Sequence, residues 1–276
     1  MRRILLPALL LSAGLSLAAA PAGGPAGPRS VDVVPGGVVR WAGEGTTSCG
    51  DARETWKPLD GACYYPVDLG TGEGPLEVYR ERDGARETAT LRVLPPPYEE
   101  ERLRVEPKTV VLSRKDRARA DREREAVVPL FSLRTEPVFS LPLGPPIARA
   151  PAPRNFGKRR VFNDQPRAPH GGADYRARTG TPVLAAEAGL VVLSAHHFFA
   201  GKSVFVDHGG GLLSMYMHLS RLDVKTGQRV ARGDRLGLSG ATGRVTGPHL
   251  HFGLRWRGAR VDPALLLGDP AALSSP

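Results

Sequence analysis

Cysteine is almost absent from this chain, with only Cys49 and Cys63 among 276 residues. A thiolate metal site needs a third and a fourth ligand near such a pair, and none accompanies this spacing, so zinc-ribbon chemistry is excluded. Long apolar runs are equally scarce. Past the first twenty or so residues nothing approaches the roughly 20 apolar residues needed to span a bilayer, which excludes a multi-span membrane protein. Aromatic residues are only 6% of the chain. They are not interleaved with basic ones, and no nucleic-acid-binding motif is present, so nucleic acid is not an expected partner. Histidine is missing from the first 169 residues, and all seven fall in the last 107. Any imidazole chemistry therefore belongs to the C-terminal part.

What is present describes a globular, strand-rich protein. Hydrophobic residues make up 41% and charged residues 24%, a balance that rules out wholesale disorder. The 33 glycines and 26 prolines favour turns and strands over long helices. The length suits one large or two modest domains. The formal net charge is +10, and about +8 once a leader carrying Arg2 and Arg3 is removed. Such a charge suits an anionic polymer, although most of it is expected to be solvated surface.

Arg2 and Arg3 precede an apolar run from Ile4 to Leu17, followed by Ala18, Ala19 and Ala20. This is the pattern of a secretory signal peptide, expected over residues 1–22, with cleavage after Ala20 or Ala22 left open. No cysteine stands near the cleavage region, so a lipid anchor is not expected. The expectation is an exported protein, in the periplasm, the cell envelope or outside the cell, with no transmembrane span after cleavage; an uncleaved N-terminal anchor is the alternative. In that oxidising setting Cys49 and Cys63 are expected to form a disulfide worth about 3 kcal/mol in the chain-entropy model, with two buried thiols as the alternative.

Composition then divides the chain. Residues 31–94 carry short apolar runs (Val38-Val39, Tyr64 to Val67, Leu76 to Tyr79, Thr88 to Val93) separated by Gly, Asp and Pro, as expected for a small β-sandwich-like domain. Residues 95–153 read as a linker. It holds a highly charged helix opened by Ser113 and Asp116 and running to about Ala126, with one solvated face, and then a proline-rich stretch from Pro137 to Pro153. That stretch is expected to act as a spacer, with a lid over the active site as the alternative. Residues 154–268 form the candidate catalytic domain, and 269–276 a tail. The fold class expected is mainly β: an antiparallel sheet with a groove, preceded by the smaller domain and the linker.

Four histidines lie in patterns that carry chemistry. In His170-Gly-Gly-Ala-Asp174 the glycine pair disfavours a helix and lets the chain fold back, so that both side chains converge. In His249-Leu250-His251 strand alternation puts both imidazoles on one face, with Leu250 and Phe252 toward the core. Such a pair serves a metal or catalysis, or else is hydrogen-bonded and structural. Together the motifs offer three imidazoles and a carboxylate, the nitrogen and oxygen donor set of catalytic zinc sites. His218 ends the apolar segment Leu212 to His218, where alternation would give Ser214, Tyr216 and His218 one face. His196 and His197 are expected in a loop near the groove, and His208 in a turn.

His170-Gly-Gly-Ala-Asp174, Tyr216-Met217-His218-Leu219 and Thr246-Gly-Pro-His249-Leu-His251-Phe252 resemble the lysostaphin/LytM-type M23 zinc endopeptidases of bacterial cell walls. The resemblance runs from about Phe156 to Leu267 and includes Gly180-Thr-Pro-Val183, Asp207-His-Gly209 and Gly237-Leu-Ser-Gly-Ala-Thr-Gly243. It implies that His170, Asp174 and His251 hold one Zn2+ per chain, and that His249 and His218 are the unliganded catalytic pair. The implied reaction is hydrolysis of peptide bonds in peptidoglycan stems or cross-links. Some relatives instead activate wall amidases without catalysis of their own, which is the alternative reading. One departure stands out. Lysostaphin-like members carry a tyrosine shortly before the first motif, whereas Arg159, Arg160, Val161 and Phe162 occupy that stretch here, so oxyanion help from such a tyrosine is absent or comes from elsewhere. Val34-Pro-Gly-Gly-Val-Val39 resembles accessory domains of envelope members. For that domain, docking to an envelope protein, binding to the wall and plain stabilisation are equally open.

Overall fold

The computed structural model describes residues 29–104, 112–151, 153–162, 164–166 and 168–276. The expected signal peptide, with Arg2, Arg3 and the apolar run, lies outside the described residues. The first unit contains β1 (Arg29–Val33), β2 (Val38–Ala42), β3 (Thr46–Asp51), β4 (Thr55–Trp56), β5 (Ala62–Pro66), β6 (Gly74–Arg82) and β7 (Ala85–Val93). Five of these form one sheet in the order β1-β7-β6-β3-β4, while β2 and β5 pair as a separate antiparallel ribbon. Asp83-Gly84 closes the β6–β7 hairpin with both residues at positive φ, the two-residue turn whose twist suits flanking strands.

The ribbon is buried on both faces. Val39, Trp41, Cys63 and Tyr65 pack against the five-stranded sheet, and the Cys49–Cys63 disulfide staples the two layers. Val38, Ala62 and Tyr64 turn the other way, into the core of the catalytic sheet. There the Tyr64 ring lies 5.1 Å from that of Trp256.

The next elements are β8 (Glu100–Leu103), helix α1 (Arg114–Val127), a 3-10 turn at Val128–Ser132, β9 (Arg159–Phe162) and β10 (Gln165–Pro166). Ser113 caps α1 by accepting from the Asp116 amide. No residue of α1 is buried, yet it is not only a solvated face: Glu123 accepts the Phe198 amide at 2.7 Å, and Arg119 donates to the His196 carbonyl. The helix thereby docks on the hairpin between β13 (Gly189–His197) and β14 (Gly201–Asp207), which follow β11 (Ala173–Arg176) and β12 (Pro182–Leu184).

The chain continues through β15 (Leu212–Leu219), β16 (Arg221–Leu222), β17 (Arg229–Val230), β18 (Arg235–Leu238), β19 (His249–Trp256), β20 (Ala259–Val261) and the short helix α2 (Pro263–Leu267). An antiparallel sheet runs β11-β19-β15-β14-β13-β17, with β20 added beside β19. A small sheet β12-β18-β16 flanks it. One face of the large sheet carries Tyr175, Val204, Val206, Tyr216, Leu250, Phe252 and Leu254 into the main core. On the other, Phe205, Leu213 and Met215 meet Val127, Leu130 and Phe131 from the end of α1 and the 3-10 turn. This cover occupies one end of that face, and His249, His251 and Asp174 occupy the other.

The proline-rich stretch is not a free spacer. Phe139, Leu143 and Ile147 are buried in the main core. Backbone bonds tie the stretch down, from Val138 to His208, Leu143 to Leu266, Gly144 to Ala186 and Leu184 to Pro146. Prolines lack one donor, but the remaining amides and three large apolar side chains suffice to seat the segment without a regular strand.

Candidate active site

Strand pairing builds the site. Asp174 on β11 stands opposite His251 on β19, and Arg176 stands opposite His249. Residues paired across an antiparallel ladder share a face, so Asp174, Arg176, His249 and His251 project to one side while Tyr175 and Leu250 enter the core. His170 joins them from the loop before β11. Its Nε2 is 2.9 Å from Asp174 Oδ1 and 3.1 Å from His251 Nδ1, and His251 Nδ1 is 2.7 Å from the same carboxylate oxygen.

The glycine pair serves this convergence asymmetrically. A Cβ on Gly172 would lie 2.6 Å from the Phe252 carbonyl oxygen and 2.7 Å from His251 Nε2, whereas one on Gly171 would meet only Arg260 Cδ at 3.5 Å. Close approach, not backbone freedom, is what requires glycine at 172.

The three groups fit a metal ion. The Asn155 carbonyl can only accept, so His170 Nδ1, 2.7 Å away, carries the proton and Nε2 presents a lone pair inward. His170 Nε2 and Asp174 Oδ1 are then both acceptors, and without a cation one proton on His251 Nδ1 would have to serve the two of them. A cation serves all three at once. Their candidate donor atoms lie within 4.8 Å of one another, and the shortest separations approach the roughly 3.3 Å edge of a tetrahedron with 2.0–2.1 Å bonds. Burial alone would raise the Asp174 pKa, but the contacts with His170 and His251 outweigh it and hold the carboxyl far below the usual carboxylate range. Burial pushes His251 down, toward the neutral imidazole a metal needs.

His249 and His218 lie beside this trio. His249 Nε2 is 3.8 Å from Asp174 Oδ1, beyond hydrogen-bond reach. The His218 ring centroid is 4.8 Å from that of His249 and 6.1 Å from that of His251. Each ring is oriented by a carbonyl at Nδ1, from Gly247 at 2.9 Å for His249 and from Thr242 at 3.0 Å for His218. Both therefore present a bare Nε2. Burial lowers the His218 pKa to about 4, which keeps that ring neutral at neutral pH.

Alternation does not put His218 with Ser214 and Tyr216. Those two are buried and hydrogen-bonded to each other in the core, while His218 faces the groove. The reason is local: the β14–β15 register shifts between Lys202 and Val204, and His218 adopts φ of 65° with its amide donating to Ala200. A left-handed non-glycine residue is strained, and such strain concentrates at functional sites.

His196 and His197 end strand β13 rather than lying in a loop. His208 follows β14 in a turn; it is fully buried, with Nδ1 2.7 Å from the Ala188 carbonyl and Nε2 2.7 Å from Ser214 Oγ. Two positioning residues have no role assigned from the sequence. Asn155 orients His170 through its carbonyl, and its side-chain oxygen accepts the Asp174 amide at 3.1 Å. Thr242 orients His218 through its carbonyl, while its hydroxyl accepts from Lys202 N and donates to Leu219 O. Thr242 lay inside a motif already singled out, so a role for it could have been sought there.

Comparison with known proteins gives the family. Residues 168–263 match peptidase family M23. A Pseudomonas aeruginosa crystal structure assigned to peptidase M23 is 32% identical, with a TM-score of 0.66, and the likeness covers 85% of this chain and 95% of that one. The peptidoglycan DD-endopeptidase ShyA of Vibrio cholerae is 47% identical over 123 residues, 44% of this chain and 28% of that protein. The DD-carboxypeptidase/endopeptidase Mpg of Neisseria meningitidis is 39% identical over 94 residues, 34% of this chain and 22% of that protein. The chain thus spans about a quarter of the length of these curated relatives.

Proposed function

This chain belongs to peptidase family M23, and from that premise we propose that it is an exported zinc-dependent endopeptidase hydrolysing peptide bonds in peptidoglycan stems or cross-links. The observation that carries the reading is the convergence of His170, Asp174 and His251 beside two further histidines with free Nε2 atoms. Residues 154–268 would be the peptidase domain, with the preceding β unit as its accessory domain. The Cys49–Cys63 disulfide supports action outside the cytoplasm.

His170 Nε2, Asp174 Oδ1 and His251 Nδ1 would hold the ion. Zinc there supplies a nucleophile from water at neutral pH and Lewis acidity toward the scissile carbonyl. The chain's own residues handle the proton. His249, with Nδ1 fixed on Gly247, accepts it at Nε2 from the attacking water and returns it to the leaving amine. His218 shares the groove, fixed on Thr242; as substrate binds it would take a proton at Nε2 from solvent, donate that hydrogen to the developing oxyanion and return the proton to solvent on product release, so the water's own proton passes through His249 alone. Asn155 and Thr242 hold the rings in these tautomers, as partners behind metal-site histidines commonly do.

Zinc content and amine release from purified sacculi test the reading, and mass spectrometry of digested muropeptides identifies the bond. One zinc per chain with new amines is expected. A zinc-loaded protein that releases none from sacculi or muropeptides refutes the enzyme and favours the amidase-activator alternative.

A further inference from the structure

The site face carries one side chain that neither the metal nor the proton transfers use. Arg176 lies two residues beyond Asp174 on β11 and pairs in register with His249. In β11, Ala173 and Tyr175 are buried while Arg176 is exposed, so Arg176 projects on the same side as Asp174 and the histidines. Among the described residues no carboxylate or hydrogen-bond acceptor contacts it. Four other arginines of this domain have acidic partners, Arg221 and Arg235 on Asp223, Arg232 on Glu187 and Arg260 on Asp68, but none of them stands on the site face beside the histidines. Among the described residues the site face has a single carboxylate, Asp174, already engaged by His170 and His251.

Position sets the distance scale. Two residues along a strand span about 7 Å, so the base of Arg176 stands about 7 Å from that of Asp174. That matches the step between neighbouring groups of an extended peptide. The guanidinium is a fork of donors that fits a carboxylate in two parallel hydrogen bonds.

We propose that Arg176 is a specificity residue that binds a free carboxylate on the substrate residue next to the scissile bond. The inference rests on the peptidase reading above. It assigns the groove a preference for acidic peptides at that position, which the metal site and histidine pair cannot provide.

The test uses the full-length, zinc-loaded protein and two synthetic peptides with the same bond between two D-residues. In one, the residue beside that bond has a free carboxylate; in the other, a carboxamide. Wild type should prefer the carboxylate peptide about tenfold or more in kcat/KM, chiefly through KM, as a charge-assisted hydrogen bond allows. In Arg176→Gln the ratio should fall toward one, in Arg176→Lys it should fall partway, and in Arg176→Glu it should invert. An unchanged ratio in Arg176→Gln overturns the proposal, as does a wild type indifferent to the carboxylate. Calorimetric binding of both peptides separates this from failure of the peptidase reading. If neither peptide is cleaved, tighter binding of the carboxylate form that Arg176→Gln abolishes still supports the subsite, and equal binding of the two refutes it.

Discussion

Replacing Gly172 by alanine would test the proposed metal site through one methyl group. Its Cβ would sit 2.6 Å from the Phe252 carbonyl oxygen and 2.7 and 2.8 Å from two atoms of the His251 ring, where ordinary contact begins at 3.4 Å. Something must yield by roughly 0.6–0.8 Å, a large step for a packed interior. The Phe252 backbone is fixed in the ladder opposite Ala173, so the strain falls on the His251 ring and on the turn carrying His170 and Asp174. Metal sites tolerate errors of about 0.2 Å in ligand distance. Zinc affinity should therefore fall by at least about 10–100-fold, the scale of losing an outer-shell contact. Overpacking should cost about 1–3 kcal/mol, or about 2–4 °C in Tm per kcal/mol for a chain of this size. Gly171→Ala is the control: neither glycine has positive φ, and its nearest neighbour is at ordinary contact. It should stay within about 0.5 kcal/mol of wild type. Competition with a fluorescent chelator and melting with and without zinc read both variants. Wild-type zinc affinity in Gly172→Ala would refute the argument, and equal losses in Gly171→Ala would show that backbone freedom, not contact with His251, is what matters.

Asp174→Ala and His251→Ala should each lose zinc and turnover together, and chelation of wild type should reproduce the turnover loss. His249→Ala should retain zinc by elemental analysis while turnover falls about 10²–10⁴-fold; metal loss in that variant would overturn the division of roles. Asn155→Ala keeps the carbonyl facing His170 but removes the side chain that receives the Asp174 amide, so chelator competition should show about 10-fold weaker zinc binding with the strands intact. Asp68 tests the contact between the units: burial would raise its pKa, but hydrogen bonds from Arg260 and from the Arg260 and Gly70 amides hold it at about 2. A depressed carboxylate stabilises the folded state above its unfolded pKa of 3.8 and loses that contribution as pH falls toward 2. Because the pair is partly exposed, the contribution is discounted to about 1 kcal/mol. The stability gap between wild type and Asp68→Asn, followed by denaturant titration, should close over that range.

Local patterns were the legible part of the site. His249 and His251 share a face because a strand alternates, a property of a few adjacent residues; the glycine pair marked the convergence of His170 with Asp174, but its reason, room for the His251 ring beside Gly172, lies on another strand. His218 shows where that logic ends: a register shift in the pairing of its own strand with β14 and one left-handed residue reverse the face that alternation assigns it. Asn155 was illegible because its contact with His170 spans 15 residues of loop and uses a backbone carbonyl, which any residue supplies. The strap from Pro137 to Pro153 lacks a period, yet Phe139, Leu143 and Ile147 find places in a core whose shape other strands determine. The docking of α1 depends on Arg119 and Glu123 meeting backbone atoms of a hairpin more than 70 residues away.

The ribbon of β2 and β5 gives the molecule a mechanical character of its own. Because alternate side chains serve different cores, neither unit can melt without stripping a wall from the other. The melting curve should accordingly show one transition of the whole, not two. A peptidase half cut away to be carried on a different protein would leave behind Val38, Ala62 and Tyr64 and expose the ring of Trp256. Moving such a half onto another protein intact requires that the ribbon travel with it, so the folding unit here extends beyond the 168–263 match.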